Sequence, residues 1–135
     1  MKIDQMNPDI KKIKIAANII KKGGLVAFPT ETVYGLGANS LNSEAVLKIF
    51  KVKNRPADNP LINHIADKEW IYKLAEKVPE EAIMLAETFW PGPLTMIFKK
   101  RKIVPDVVTA GLKTTAIRMT KNKIALDLIS IHLLK

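Results

Sequence analysis

The stretch FPTETVYGLGAN, residues 28–39, decides the fold because an apolar strand, a polar corner and a glycine-rich strand meet in it. Leu25–Phe28 predicts a short buried strand, and Pro29 ends that strand because proline has no N–H to give to a ladder. Val33–Ala38 then alternates, so its two glycines fall on one face of a second strand. That bare face favours close approach of a ligand or of another backbone. A hairpin whose glycines only allow packing is the alternative.

Three polar residues lie between these two predicted strands. Thr30, Glu31 and Thr32 supply two hydroxyls and a carboxylate. Open α/β sheets bind their ligands at the carboxyl ends of strands, so this corner is a candidate binding site.

The composition indicates one globular domain spanning residues 1–135, with 47% apolar residues. No segment reaches the length of a membrane span and the first residues do not resemble a signal peptide, so we expect a cytoplasmic protein. The chain has no cysteine and two histidines, which argues against disulfides and against a transition-metal site.

A net charge of +9 predicts polyanionic partners such as nucleotides or RNA. Basic residues cluster near positions 11–14, 21–22, 48–55 and 99–102. Solvated helix faces explain most of these clusters equally well, because few aromatic residues are available to stack on bases. A basic, double-stranded RNA- or tRNA-binding or translation-related protein without catalysis is the alternative function.

Periodicity and turn signals predict an alternation of helices and strands, which is typical of an α/β fold. Helices are expected after Asn7, after Asn42 or Ser43, over residues 68–78, from Pro79 with Phe89 and Trp90 facing inward, and after Asn122. Strands are expected over residues 61–65, 94–98 and 114–119.

Two further regions carry residues suited to anions. Lys53 and Arg55 lie in a loop that prolines restrict, and such a pair of cations suits a polyphosphate. The alternative is an ordinary helix end that carries basic residues without a ligand. Alternation places Thr114 and Arg118 on one face of a strand, where Arg118 would bind a carboxylate or phosphate or form an ion pair. His64 on its strand is a ligand or a structural group.

Four ordered motifs resemble the YrdC-like threonylcarbamoyl-AMP synthases, most closely the archaeal type. They are PTETVYGLGAN, KNRPADNPLINHI, WPGPLT and TTAIRM. The resemblance implies a twisted mixed parallel and antiparallel sheet with flanking helices. It also implies a nucleotidyltransferase that uses ATP with magnesium, L-threonine and bicarbonate to make threonylcarbamoyl-adenylate for tRNA adenosine-37 modification.

The resemblance also implies roles for individual residues. No side chain is expected to form a covalent intermediate or to hold a metal. The implied threonine contacts are Thr32, His64 and Arg118, and the implied ATP contacts are Lys53, Arg55, Asn59 and Thr114.

The C-terminal sequence departs from the family pattern. After the last predicted helix the family continues into a strand with a Pro-Ser-x-Asn motif, which this sequence does not contain. We therefore expect a C-terminally incomplete domain with little or no synthase activity. The last helix is apolar nearly all round, so we also expect it to lack cover and to form a homo-oligomer through Leu126–Leu134.

Overall fold

The computed structural model describes residues 10–29, 34–53 and 60–133. The helices are α1 (Ile10–Lys21), α2 (Ser43–Lys53), α3 (Ile71–Leu74), α4 (Glu80–Phe89) and α5 (Lys123–Leu133), with a 3₁₀ turn at Lys68–Trp70. The strands are β1 (Val26–Pro29), β2 (Tyr34–Gly37), β3 (Ile62–His64), β4 (Thr95–Lys99) and β5 (Thr114–Arg118). No helix within these ranges is long and apolar enough to cross a membrane.

The described strands form a three-stranded mixed sheet and a hairpin. The sheet order is β3-β5-β4, with β3 parallel and β4 antiparallel to β5, which confirms the predicted mixed sheet. β1 and β2 pair antiparallel. The first strand ends at Pro29, but it spans Val26–Pro29 rather than the predicted Leu25–Phe28, and Pro29 itself pairs with Tyr34. A proline is tolerated at this position because the ladder loses only the one hydrogen bond that the proline N–H would have donated.

One face of the mixed sheet covers the main core. Met96, Phe98 and Ile117 alternate with exposed or half-buried residues and point into this core. Helix α2 adds Val46 and Phe50, which lie on its predicted apolar face. The sheet is therefore covered on one side by helices and loops, as the alternation of its strands requires.

A second apolar cluster joins α1 to α5. Ile13 and Ala17 from α1 pack with Ala125 and Leu128 from α5, and Val26 of β1 lies against them. Helix α1 therefore covers one face of α5, whereas Leu126 and Ile129 stay half-buried, so the expected lack of cover applies only to the rest of the helix. The predicted start of α1 at Asn7 lies outside the described residues.

Local signals set the ends of several helices. Asn42 caps α2, its Oδ1 accepting the Ala45 N–H at 3.2 Å, and Asn122 caps α5 in the same way through Ala125. Gly23 ends α1 with φ of +90°, a conformation that L side chains rarely adopt.

Two other predictions were wrong. The helix expected over residues 68–78 ends at Leu74, because Ala75 instead forms a β-bridge with Lys100. Phe89 is 52% exposed. The buried residues Ala82, Ala86 and Trp90 are spaced by four, and this spacing turns Phe89 away from the core.

Candidate ligand-binding site

The open face of the mixed sheet carries three of the residues predicted to bind ligand. On this face, opposite the core, β3 presents His64 and β5 presents Thr114 and Arg118. His64 pairs with Arg118 in the parallel register, so the two side chains are neighbours across the strands. Thr114 is exposed and lies about 13 Å from Arg118 along β5, so it belongs to the far end of this face.

A row of three residues crosses the sheet at Arg118. Thr95 of β4 pairs with Arg118 from the other side, so His64, Arg118 and Thr95 form what we call the site row. All three are half-buried. An imidazole, a guanidinium and a hydroxyl therefore lie side by side about 5 Å apart on a rigid sheet, a combination suited to a carboxylate-containing ligand.

The Arg118 side chain reaches toward the loop before β4. Its Nε donates to the Gly92 carbonyl at 3.4 Å, and the Gly92 N–H donates to the Met119 carbonyl at 2.8 Å. The Arg118 carbonyl accepts the Ile65 N–H at 2.9 Å. The backbone at both ends of the site row is therefore held by hydrogen bonds, which limits the reorganisation needed to bind a ligand.

A cavity of about 560 Å³ lies beside the open edge of β3. It is bounded by residues of β2, α2, β3 and α5, among them Gly35, Gly37, Lys53, His64 and Ile129. The charged residues that line its described part are Lys21 and Lys53, and no carboxylate lines that part. Such a cavity favours an anionic ligand.

The structure thus brings some predicted residues together. Lys53 and His64 line the same cavity, and Arg118 lies next to His64 on the sheet, whereas Thr114 lies apart from both. Thr32, Arg55 and Asn59 lie outside the described residues, as do Thr30 and Glu31 of the polar corner. Gly35 and Gly37 lie in a hairpin and line the cavity, so the predicted close approach of a ligand to these glycines stays a prediction.

A buried polar contact behind the site row was not predicted. Asn63 is 3% exposed, and its Nδ2 donates to Thr115 Oγ1 at 2.7 Å and to the Ala116 carbonyl at 2.9 Å. This contact ties β3 to β5 directly beneath the pair of His64 and Arg118. The strand alternation would have indicated that Asn63 faces inward, but only the tertiary structure shows its partners.

The described residues contain no group of three or more His, Asp or Glu side chains that could hold a metal ion.

Comparisons with known proteins identify relatives of this chain. The family model Sua5_yciO_yrdC, described as "Telomere recombination", matches residues 18–134. The threonylcarbamoyl-AMP synthase of Pyrococcus abyssi (strain GE5 / Orsay) is 60% identical over 120 residues, which are 89% of this chain and 35% of the relative. The threonylcarbamoyl-AMP synthase of Bacillus subtilis (strain 168) is 49% identical over 127 residues, 93% of this chain and 37% of the relative.

A solved structure shares the fold. The crystal structure of P. abyssi Sua5 complexed with L-threonine matches with a TM-score of 0.92 and 57% identity, covering 94% of this chain and 37% of that one. This chain therefore spans only about a third of the length of these relatives. Because the family model matches most of the chain and the fold agrees, the chain belongs to the Sua5/YciO/YrdC family.

Proposed function

We propose that this chain binds L-threonine and ATP as the substrate-binding part of a threonylcarbamoyl-AMP synthase. The observation that carries the proposal is the pair of His64 and Arg118 on the open sheet face, beside a cavity that contains Lys53 and no described carboxylate. Arg118 would hold the threonine carboxylate through charge-assisted hydrogen bonds, with His64 and Thr32 as further threonine contacts. The relative whose crystal structure contains L-threonine supports this choice of ligand.

ATP would bind through Lys53, Arg55, Asn59 and Thr114. Lysine and arginine neutralise phosphate charge, and magnesium would enter as its complex with ATP. In the proposed reaction the threonine amino group forms a bond to the carbon of bicarbonate with loss of water. A carbamate oxygen then attacks the α-phosphorus, and the bond to the leaving pyrophosphate breaks. The protein contributes positioning and charge neutralisation, and the product serves the modification of tRNA adenosine-37 in the cytoplasm.

Isothermal titration calorimetry tests the binding proposal. We expect heat with L-threonine and with magnesium-ATP at millimolar concentrations, and none with D-threonine, whose side chain and amino group cannot both be placed as in the L-isomer when the carboxylate is held. Absence of heat with both L-threonine and ATP would contradict the proposal.

The low turnover expected from the sequence stays a prediction. Pyrophosphate release with ATP, L-threonine and bicarbonate should be compared between this chain and the chain joined to the remaining segment of the P. abyssi relative. Equal turnover by both would contradict the expectation, whereas release only by the longer protein would support it.

Self-association through Leu126–Leu134 also stays a prediction. Its basis is weaker than the sequence suggests, because Ala125 and Leu128 already pack against α1. Leu126 remains half-buried and is available for a second copy, whereas Ile129, also half-buried, lines the cavity. Light scattering over a concentration series measures this directly, and a monomer at all concentrations would exclude it.

A further inference from the structure

Thr95 is a residue of the site row to which the sequence motifs assign no role. It is the first residue of β4, where Met96 and Phe98 point into the core. Thr95 therefore points to the open face, directly opposite Arg118 in the antiparallel register. Side chains paired in this way lie about 5 Å apart, so one small ligand can contact both.

The hydroxyl of Thr95 differs from those of the other partly or fully buried threonines in the described residues. Thr109 bonds the carbonyls of Asp106 and Leu112, Thr115 accepts from Asn63, and Thr120 accepts the Asn122 N–H. No side-chain hydrogen bond of Thr95 is found within the described part of the chain. Because Thr95 is half-buried on the face opposite the core, its hydroxyl can donate to a ligand bound there.

The Arg118 side chain extends toward this end of β4. Its Nε contacts the carbonyl of Gly92, which precedes Thr95 by three residues. The guanidinium carries donors only, whereas a carboxylate carries two oxygens with about four acceptor positions. A carboxylate held by Arg118 therefore has acceptor capacity left for a neighbouring hydroxyl donor.

We propose that Thr95 Oγ1 is an additional substrate-binding group that donates a hydrogen bond to the carboxylate held by Arg118. This inference rests on the proposed function, since it takes L-threonine as the ligand of the site row. It makes the carboxylate subsite a pair of donors from adjacent strands, a guanidinium and a hydroxyl. A hydrogen bond to a charged group adds to affinity and also fixes the orientation of the carboxylate.

The test compares Thr95→Val, which removes the hydroxyl at nearly constant shape, with Thr95→Ser, which retains it. Calorimetry should show that Thr95→Val binds L-threonine with about tenfold lower affinity than the unmodified chain. Thr95→Ser should bind within about twofold of the unmodified chain. The control is Thr88→Val, because Thr88 is exposed on α4 and bonds only the Met84 carbonyl of its own helix. It should leave L-threonine binding unchanged.

Two further measurements separate a ligand contact from a structural role. Magnesium-ATP affinity should be the same for Thr95→Val and the unmodified chain, and an equal loss for both ligands would overturn the inference. L-Threoninol, which lacks the carboxylate, should bind both proteins equally in an NMR titration. A tenfold difference in its affinity would mean that the Thr95 hydroxyl contacts another part of the ligand.

The inference and the proposed function fail in different ways. If the unmodified chain and Thr95→Val bind L-threonine equally well, only the inference is overturned. The same holds if Thr95→Ser loses as much affinity for L-threonine as Thr95→Val does. If the unmodified chain does not bind L-threonine, the proposed function fails and the inference fails with it.

Discussion

Arg118 and Arg55 are predicted to serve different ligands, although both are cations in motifs of the same family. Arg118→Ala should weaken L-threonine binding by roughly 10- to 150-fold, because it removes a charge-assisted contact, and should change ATP binding less. Arg55→Ala should weaken ATP binding more than L-threonine binding. Calorimetry of each variant with each ligand measures this difference. Arg118→Lys is the matched variant, and it should not restore threonine affinity because a lysine lacks the planar fork.

An equal loss of both ligands in either variant would indicate that the arginine holds the fold instead. This outcome is most informative for Arg118, because its Nε bonds the Gly92 carbonyl and Arg118→Ala removes that contact. Thermal unfolding of the same variants distinguishes lost binding from lost stability.

Trp90 shows how one side chain anchors the turn that precedes β4. It is 3% exposed, and its Nε1 donates to the Leu94 carbonyl at 2.7 Å. Trp90→Phe should lower the free energy of unfolding by about 1–3 kcal/mol, because the Leu94 carbonyl loses its partner and the core loses volume. Urea unfolding followed by circular dichroism measures this. Trp70→Phe is the control and should cost less, since Trp70 is half-buried and its ring contact with Lys73 can be kept by phenylalanine. Equal costs would contradict the anchoring role.

At the scale of elements, α5 depends on a cap that lies next to the end of β5. Asn122 Oδ1 accepts the Ala125 N–H at 3.2 Å, and Thr120 Oγ1 accepts the Asn122 N–H at 3.2 Å. Asn122→Ala should lower the free energy of unfolding by about 1 kcal/mol, because a free N–H at the start of the helix loses its acceptor.

Asn122→Ser should recover most of that loss, since serine also caps helices well. Asn18 is exposed on α1, so Asn18→Ala is the matched control. This change should be neutral or stabilising because alanine has the higher helix propensity. A cost for Asn18→Ala equal to that for Asn122→Ala would mean that capping is not the cause. Thermal or urea unfolding of the three variants measures these differences in stability.

At the scale of the whole molecule, the net charge of +9 raises the question of RNA binding. The structure uses part of this charge internally. Lys100 Nζ lies 2.9 Å from Asp106 Oδ1, and Arg101 Nε donates to the carbonyls of Tyr72 and Ala75. The cluster at residues 99–102 is therefore largely engaged in holding the fold, which leaves exposed lysines such as Lys14 and Lys22 to contact phosphates.

We expect tRNA binding to be weak, to weaken steeply with salt and to show no preference over other double-stranded RNA. The double change Lys14→Glu and Lys22→Glu should reduce the slope of log affinity against log salt by about 2. Lys100→Ala should leave that slope unchanged and lower stability instead. Filter binding at several salt concentrations tests this, and salt-resistant binding specific to tRNA would contradict it.

Local sequence determined much of the secondary structure of this chain. The spacing of Ala45, Val46, Ile49 and Phe50 predicts the buried face of α2, and the structure confirms it. The alternation from Thr114 to Arg118 likewise predicts which side chains of β5 face the core. These features depend on neighbours within a few residues, so propensity, capping and periodicity are enough to predict them.

Only the tertiary structure decided how the site row forms. Asn63 bonds Thr115 across 52 residues of sequence where β3 pairs with β5 and places His64 beside Arg118, and the separate pairing of β4 with β5 places Thr95 on the other side of Arg118. The same kind of distant contact ended a predicted helix at Leu74, through the bridge from Ala75 to Lys100. The family resemblance implied roles for His64 and Arg118 but none for Thr95, although the motif WPGPLT ends at that residue. The physical reason is that strand register is set by long-range pairing and burial, which no local pattern in a single strand contains.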